Sequence, residues 1–169
     1  MLNLAGNIWQ LPLGEESPSE RARSVTEKTI NRAGREDRQE FDAAGRVVKT
    51  IQNYLDGVVD EDYPDEDVIV EMAYNADGNL ETLTAKNPTT GDQVTKYVYG
   101  TTLSDSEIAT STLKRAEIYP DSDDTTALGN GTDGVYDRIE FKYDRQRRVT
   151  EVKDQQETVH AFAFDALGR

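Results

Sequence analysis

The sequence contains no cysteine, one histidine and no long apolar run among its 169 residues. Without cysteine the chain has no disulfide, no thiolate zinc site and no thiol nucleophile. The lone His160 lacks the partners that a metal site or a base–nucleophile pair needs, so we assign it a structural place in a strand. The apolar stretches are far shorter than the ~20 residues of a membrane helix. No cofactor, metal or membrane insertion is therefore expected.

Basic and apolar residues are also scarce. Lys and Arg number 19 against 33 Asp and Glu, which leaves a formal net charge of −14. Such a surface repels phosphates, so nucleic-acid binding is not expected. Only 36% of the residues are hydrophobic, less than is usual for globular chains. The core must be thin.

One pattern recurs against this background: an aromatic residue, Asp or Asn, two variable residues, Gly, a polar residue and an aliphatic one. A weaker relative begins at Ile30, which is aliphatic rather than aromatic. The four clear copies contain Phe41, Asp42, Gly45 and Arg46; Tyr74, Asn75 and Gly78; Tyr143, Asp144 and Arg148; and Phe164, Asp165, Gly168 and Arg169.

The spacing of this motif predicts a hairpin tip. Asp or Asn suits the first position of a type I turn, and Gly suits the left-handed position that follows and forms a G1 bulge. In this geometry the aromatic residue lies opposite the aliphatic residue six positions later, an arrangement that helps to set the strand register. The predicted pairs are Phe41 with Val47, Tyr74 with Leu80, and Tyr143 with Val149.

The flanking segments are rich in β-branched and aromatic residues that alternate with polar ones. We predict an all-β fold of antiparallel β-hairpin repeats that form an extended, curved sheet. Ser104 and Glu107 have the spacing of a helix capping box, which predicts one short helix before the strand at 113–119. The predicted strands are 47–52, 68–74, 80–85, 94–101, 113–119, 139–143, 149–153 and 159–164.

The chain divides into two regions. Residues 1–24 are predicted to form an N-terminal strand, anchored by Trp9, and an exposed connection. Residues 25–169 form the hairpin region, which has acidic loop insertions at 56–67 and 121–137. The first insertion holds seven carboxylates and no basic residue, and the second holds five carboxylates and three glycines.

The stretch from Tyr143 to Arg169 resembles the RHS repeat, also called the YD repeat. Its step from Tyr143 to Phe164 spans 164 − 143 = 21 residues, similar to the repeat length of that family. Two departures are present: Phe or Asn replaces Tyr or Asp in some copies, and Arg147 replaces the turn Gly. A non-glycine residue there costs about 1–2 kcal/mol, so this tip is either strained or of another turn type.

The resemblance implies a section of a β-shell in which hairpin arrays enclose a C-terminal toxin or effector segment of the parent protein. Its partners would be neighbouring repeats and that segment, and the parent would act outside the cell or at its surface. The alternative is an adhesion or carbohydrate-binding module built from the same repeats. The chain has no Asp-Pro dipeptide, so the self-cleaving element of such shells is not assigned. The last motif stops at Arg169, and we expect the chain to be a fragment.

Other interpretations are weaker. A catalytic carboxylate pair requires two acids held around a bound sugar, and no acid sits in an obviously apolar setting, so we predict no enzyme. The acidic loops are interpreted as solvated surface, with calcium binding as the alternative. Five tyrosines either pack on the sheet or present aromatic surface to a ligand, and we favour packing. They are Tyr97, Tyr99, Tyr119, Tyr136 and Tyr143.

Overall fold

The computed structural model describes residues 25–169. The predicted strand and connection in residues 1–24 lie outside the described residues. The described chain forms ten strands: β1 (Val25–Ile30), β2 (Glu36–Phe41), β3 (Val47–Gln52), β4 (Val68–Tyr74), β5 (Leu80–Ala85), β6 (Gln93–Thr101), β7 (Thr110–Ile118), β8 (Arg138–Tyr143), β9 (Val149–Lys153) and β10 (Val159–Ala161).

The strands form a single open sheet whose spatial order follows the sequence, from β1 to β10. Every neighbouring pair is antiparallel, so each strand needs only a local connection to the next. This confirms the all-β fold class and the extended sheet of hairpins. Across residues 25–169 there is no helix, and hence none that is long and apolar enough to cross a membrane.

The predicted strand positions agree closely with the structure. Strands β3, β4, β5 and β9 have the predicted bounds, and β6, β7 and β8 differ by at most three residues at an end. The last strand is shorter than predicted and ends at Ala161. Its partner β9 begins at Val149, and the pairing is extended only by a bond from Phe162 N–H to the Thr150 carbonyl. Beyond that point β9 gives way to the turn at Asp144.

The prediction of a short helix after Ser104 is wrong. Residues 102–109 form a turn between β6 and β7. The Asp105 carboxylate accepts the N–H and the hydroxyl of Thr102. Glu107 N–H is donated to the Tyr143 carbonyl at 2.8 Å, so the residue expected to cap a helix instead bonds the neighbouring hairpin.

Successive connections of the meander lie at opposite ends of the sheet. The turns after β2, β4 and β8, and the turn at Asp165 after β10, share one end, which we call the tip end. The connections after β1, β3, β5, β7 and β9 share the other end, which we call the loop end. Both acidic insertions, 56–67 and 121–137, therefore lie at the loop end, away from the repeat motifs.

The strand register separates two different faces, because successive side chains in a strand point to opposite sides. One face is charged: Lys49 lies opposite Glu71, and Lys142 lies opposite Glu151, the latter pair with a 2.7 Å contact. The other face is apolar, with pairs such as Met72 with Leu83 and Phe141 with Val152. Within residues 25–169 no second layer covers the apolar face.

The small core lies mainly at the loop end of the charged face. Tyr54 from the β3–β4 connection stacks on Arg38, and Tyr136 from the β7–β8 connection stacks on Arg138, so both connections fold back onto this face. Because these connections cover the loop end of the charged face, apolar residues are buried there. Among the described residues the buried apolar side chains are Ile51, Ile69, Ala116, Ile118, Tyr136 and Tyr143.

Candidate functional site

The tip at Asp42 is a type I turn with a G1 bulge, as its spacing predicts. The N–H of Gly45 donates a hydrogen bond to the Asp42 carbonyl at 3.0 Å. The N–H of Asp42 donates one to the Arg46 carbonyl at 2.9 Å. Oδ1 of Asp42 accepts the N–H groups of Ala44 and Arg46, each at 2.9 Å. The carboxylate therefore satisfies turn donors that strand pairing leaves unbonded.

The same bonding pattern occurs at every predicted copy. Asn75, Asp144 and Asp165 each accept two backbone N–H groups through Oδ1. The aromatic–aliphatic pairs are also confirmed: Phe41 pairs with Val47, Tyr74 with Leu80, and Tyr143 with Val149. The weaker relative at Asn31 closes in the same way.

The same turn at Asp154 is not visible as a motif in the sequence. Asp154 accepts the N–H groups of Gln156 and Thr158, and Glu157 takes the left-handed position with φ +60°. Neither an aromatic residue nor a glycine marks it. The only signal is its position, ten residues after Asp144 and eleven before Asp165. The 21-residue repeat thus contains two turns, one at each end of the sheet.

In three copies an arginine four residues after the aspartate completes the tip. Arg46 Nε lies 2.7 Å from Asp42 Oδ2, and Arg148 Nε lies 2.7 Å from Asp144 Oδ2. The last copy has a longer contact, 3.2 Å from Arg169 Nη2 to Asp165. Backbone and side-chain hydrogen bonds from Arg46 hold the pKa of Asp42 below its usual value. The Asp–Arg pair is thus a fixed part of the turn.

Two of these arginines, Arg46 and Arg148, also contact the next copy of the motif. The guanidinium of Arg46 lies 4.4 Å from the centroid of the Tyr74 ring, and that of Arg148 lies 4.3 Å from the centroid of the Phe164 ring. A methyl group at Gly78 would lie 3.6 Å from Arg46 Nη1, so the arginine also lies beside the next turn. A cation over an aromatic face is attracted by the ring quadrupole. Arg46 and Arg148 therefore each link two successive tips.

The motif tyrosines add a hydrogen bond to the preceding hairpin. The Tyr74 hydroxyl is donated to the Val47 carbonyl at 2.8 Å, and the Tyr143 hydroxyl to the Lys114 carbonyl at 2.7 Å. Phe41 and Phe164 lack this hydroxyl. Tyr143 is buried, and burial raises its pKa.

The structure does not bring the Asn75 and Asp144 tips together, because the β6–β7 hairpin lies between them. Its turn carries no motif but has its own ion pair and a hydrogen bond to the Asp144 tip. Arg115 Nη2 lies 3.3 Å from Asp105 Oδ2, and Ser106 Oγ accepts Tyr143 N–H at 3.2 Å. The β6–β7 turn is therefore bonded to the Asp144 tip through different residues.

At the loop end, each acidic insertion depends on one buried aspartate, Asp67 in the first and Asp124 in the second. Burial alone would raise the pKa of Asp67, but hydrogen bonds from the N–H groups of Asp56 and Leu55 outweigh burial and lower it. Asp124 Oδ2 accepts a 2.8 Å bond from the buried Arg138 and the N–H of Asp137. These two carboxylates fix the loops rather than face solvent.

The described residues contain no cluster typical of metal binding. His160 is exposed and lies 3.1 Å from Asp154 Oδ2, with no third member. In residues 25–169 no group of three or more His, Asp or Glu side chains has the arrangement of a metal site. Of the five tyrosines, Tyr136 and Tyr143 are buried and the other three are half-buried.

Comparisons of the chain with protein-family models and with curated proteins found no match in either.

Proposed function

We propose that the chain is a non-enzymatic structural module, a section of an RHS/YD-repeat shell that encloses a C-terminal toxin or effector segment of its parent protein. The observation that carries this proposal is the arginine link between successive tips. The contact of Arg46 with Tyr74 recurs between Arg148 and Phe164. Because a tip can offer both an arginine and an aromatic ring, hairpins can be added to the row without a change in geometry.

The two unlike faces of the sheet also support a wall. A wall that encloses another segment of the same protein needs one face toward that segment and one toward water. The apolar face presents half-buried rings and aliphatic side chains, whereas the charged face carries paired ions such as Lys142 and Glu151. We propose that the apolar face lines the enclosed space. The parent protein would then act outside the cell or at its surface.

Surface adhesion through carbohydrate binding has less support. Sugar rings bind best on open aromatic faces. On the apolar face, however, the Lys114 ammonium lies 5.3 Å from the Tyr97 ring centroid and 5.1 Å from that of Phe141. Lys114 in turn bonds Glu117. This contact favours packing over the stacking of a sugar.

Limited proteolysis of the full-length parent protein tests the proposal. The flanking gene sequence defines that protein, and we expect further motifs and an unrelated C-terminal segment. The segment should resist protease inside the parent and be digested when expressed alone, and electron microscopy should show a closed shell. Equal digestion in both settings would refute encapsulation. Glycan-array binding that is lost in a Tyr97→Ala variant would favour the adhesion alternative instead.

A further inference from the structure

The first acidic loop contains a hollow that the proposed shell does not use. Its volume is about 390 Å³, within the range of ligand pockets. Half of its lining is apolar and half is acidic, and no basic side chain takes part. The lining residues are Leu55, Val58, Val59 and Tyr63, with Asp56, Asp60, Glu66 and Asp67.

The loop that forms this hollow is held in shape by its own bonds. Asp67 is buried, and its two carboxylate oxygens accept the N–H groups of Leu55 and Asp56, each at 3.0 Å. Asp67 N–H is donated to the Asn53 carbonyl, and Asn53 Nδ2 to the Asp65 carbonyl at 2.7 Å. The hollow therefore exists before any ligand arrives, so binding would cost little ordering.

The apolar part of the lining is exposed. Leu55 is 67% exposed, Val58 66% and Tyr63 58%. Single exposed apolar side chains are ordinary on protein surfaces, but a group around one hollow with a polar rim is typical of a binding site. Packing within residues 25–169 does not account for these three side chains.

The acidic part retains binding capacity. Asp60 uses Oδ1 to accept the N–H of Asp62. Within the described residues, its Oδ2 and the carboxylate of Glu66 take part in no hydrogen bond or ion pair. Two basic side chains line adjoining hollows and are already paired: Arg35 lies 3.7 Å from Asp65, and Lys86 lies 2.7 Å from Asp92.

We propose that this hollow binds an arginine side chain from a basic peptide segment of a partner protein. An arginine has an apolar stem that suits Leu55 and Val58, and a planar guanidinium that suits a carboxylate pair and stacks on an aromatic ring such as Tyr63. A second copy of the chain is a poor occupant because two surfaces at −14 repel each other. Nucleic acids and anionic membranes are repelled for the same reason.

Titration calorimetry of the full chain with hexa-arginine amide tests the proposal. Hexa-citrulline, which keeps the shape and loses the charge, and hexa-lysine serve as comparison peptides. We expect saturable binding of hexa-arginine, at least tenfold weaker binding of hexa-lysine, and none of hexa-citrulline. The double variant Asp60→Asn with Glu66→Gln should weaken hexa-arginine binding at least tenfold, since an amide at position 60 keeps the turn acceptor but not the charge.

A matched control separates the hollow from the overall charge. Asp121→Asn with Asp133→Asn removes the same two charges from the other acidic loop, where both residues are exposed, and should change the affinity less than twofold. Tyr63→Ser should weaken binding without changing the charge. The proposal is overturned if the control weakens binding as much as the test variant, or if hexa-lysine or hexa-citrulline binds as tightly as hexa-arginine. Thermal melts of all variants establish that they are folded.

Discussion

At the scale of single residues, Arg147 occupies the turn position that glycine fills in the other motif copies. The turn type is unchanged: Arg147 N–H is donated to the Asp144 carbonyl at 3.0 Å, and φ is +64°. A non-glycine residue in this region destabilises the folded chain by about 1–2 kcal/mol. Replacing it with glycine recovers only part of this free energy, because glycine gives the unfolded chain more conformational freedom. We expect Arg147→Gly to raise the free energy of unfolding by up to ~1 kcal/mol, measured by urea denaturation.

The reverse change at Gly45 is the matched control. Gly45 has φ +78°, and a methyl group there would have no atom within 4 Å, so Gly45→Ala tests backbone strain without a steric clash. It should lower the free energy of unfolding by about 1 kcal/mol. If both variants change stability in the same direction, strain at this position is not the cause.

At the scale of elements, the link between hairpins is measurable as a coupling energy. Arg46 contacts both Asp42 in its own tip and the Tyr74 ring in the next. In a double-mutant cycle of Arg46→Leu and Tyr74→Leu, we expect a coupling of about 0.5–1 kcal/mol at this partly exposed site. Urea denaturation of the four proteins gives the value.

A distant pair provides the control for this cycle. This control cycle combines substitutions of Arg46 and Phe164, which lie in two tips that do not contact each other. Their changes in the free energy of unfolding should therefore add within ~0.5 kcal/mol. The Arg148 and Phe164 pair should repeat the coupling seen for Arg46 and Tyr74. Additive behaviour in both contacting pairs would remove the observation on which the proposed wall rests.

At the scale of the whole molecule, the folded chain lowers the pKa of several aspartates. Asp42, Asp67, Asp144 and Asp165 all have a pKa below the usual value, because hydrogen bonds from backbone N–H groups or arginines outweigh the opposing effect of burial. In the window between the folded and unfolded pKa values the unfolded chain binds more protons. The stabilisation that these four carboxylates contribute is thus fully present above about pH 4. It is lost as the pH falls through their lower pKa values in the folded chain. Thermal melts from pH 7 to pH 2 measure this loss.

The pKa of Asp137 shifts in the opposite direction, so this residue serves as the internal control. Burial and repulsion by neighbouring acids, including Asp133 and Asp124, raise its pKa. Its ionised form is therefore less favourable in the folded chain than in the unfolded chain. Asp137→Asn should raise the melting temperature at pH 7, and the gain should vanish as the pH falls below about 4. A gain that is independent of pH would contradict this explanation.

The open sheet has two exposed edge strands in the described residues. Every residue of β1 and of β10 is exposed, and such strands offer unpaired backbone groups to other chains. We expect the isolated chain to be marginally stable or to self-associate. Because the net charge of −14 opposes association, sedimentation velocity should show more of it at about 0.5 M salt than at low salt. A concentration-independent monomeric melt at high temperature would contradict this expectation.

Local chemistry made the tips and most strands predictable. Turn geometry depends on a few adjacent residues, so the spacing from Phe41 to Val47 was enough to place a bulge and a cross-strand pair. Strands β1 and β2 were not predicted as strands because their sequences are largely polar. They form because the turns at Asn31 and Asp42 fold them onto β3.

The sequence by itself determined the fold class, the turn type at each motif and the register of the motif hairpins, because all three depend on residues close together in the chain. Tertiary structure alone decided which tips meet, since Arg46 and Tyr74 are brought together only when β3 pairs with β4. It also decided the roles of the acidic residues. Asp67 is buried and structural whereas Asp60 faces solvent, because burial is a property of the folded loop and not of the residue type.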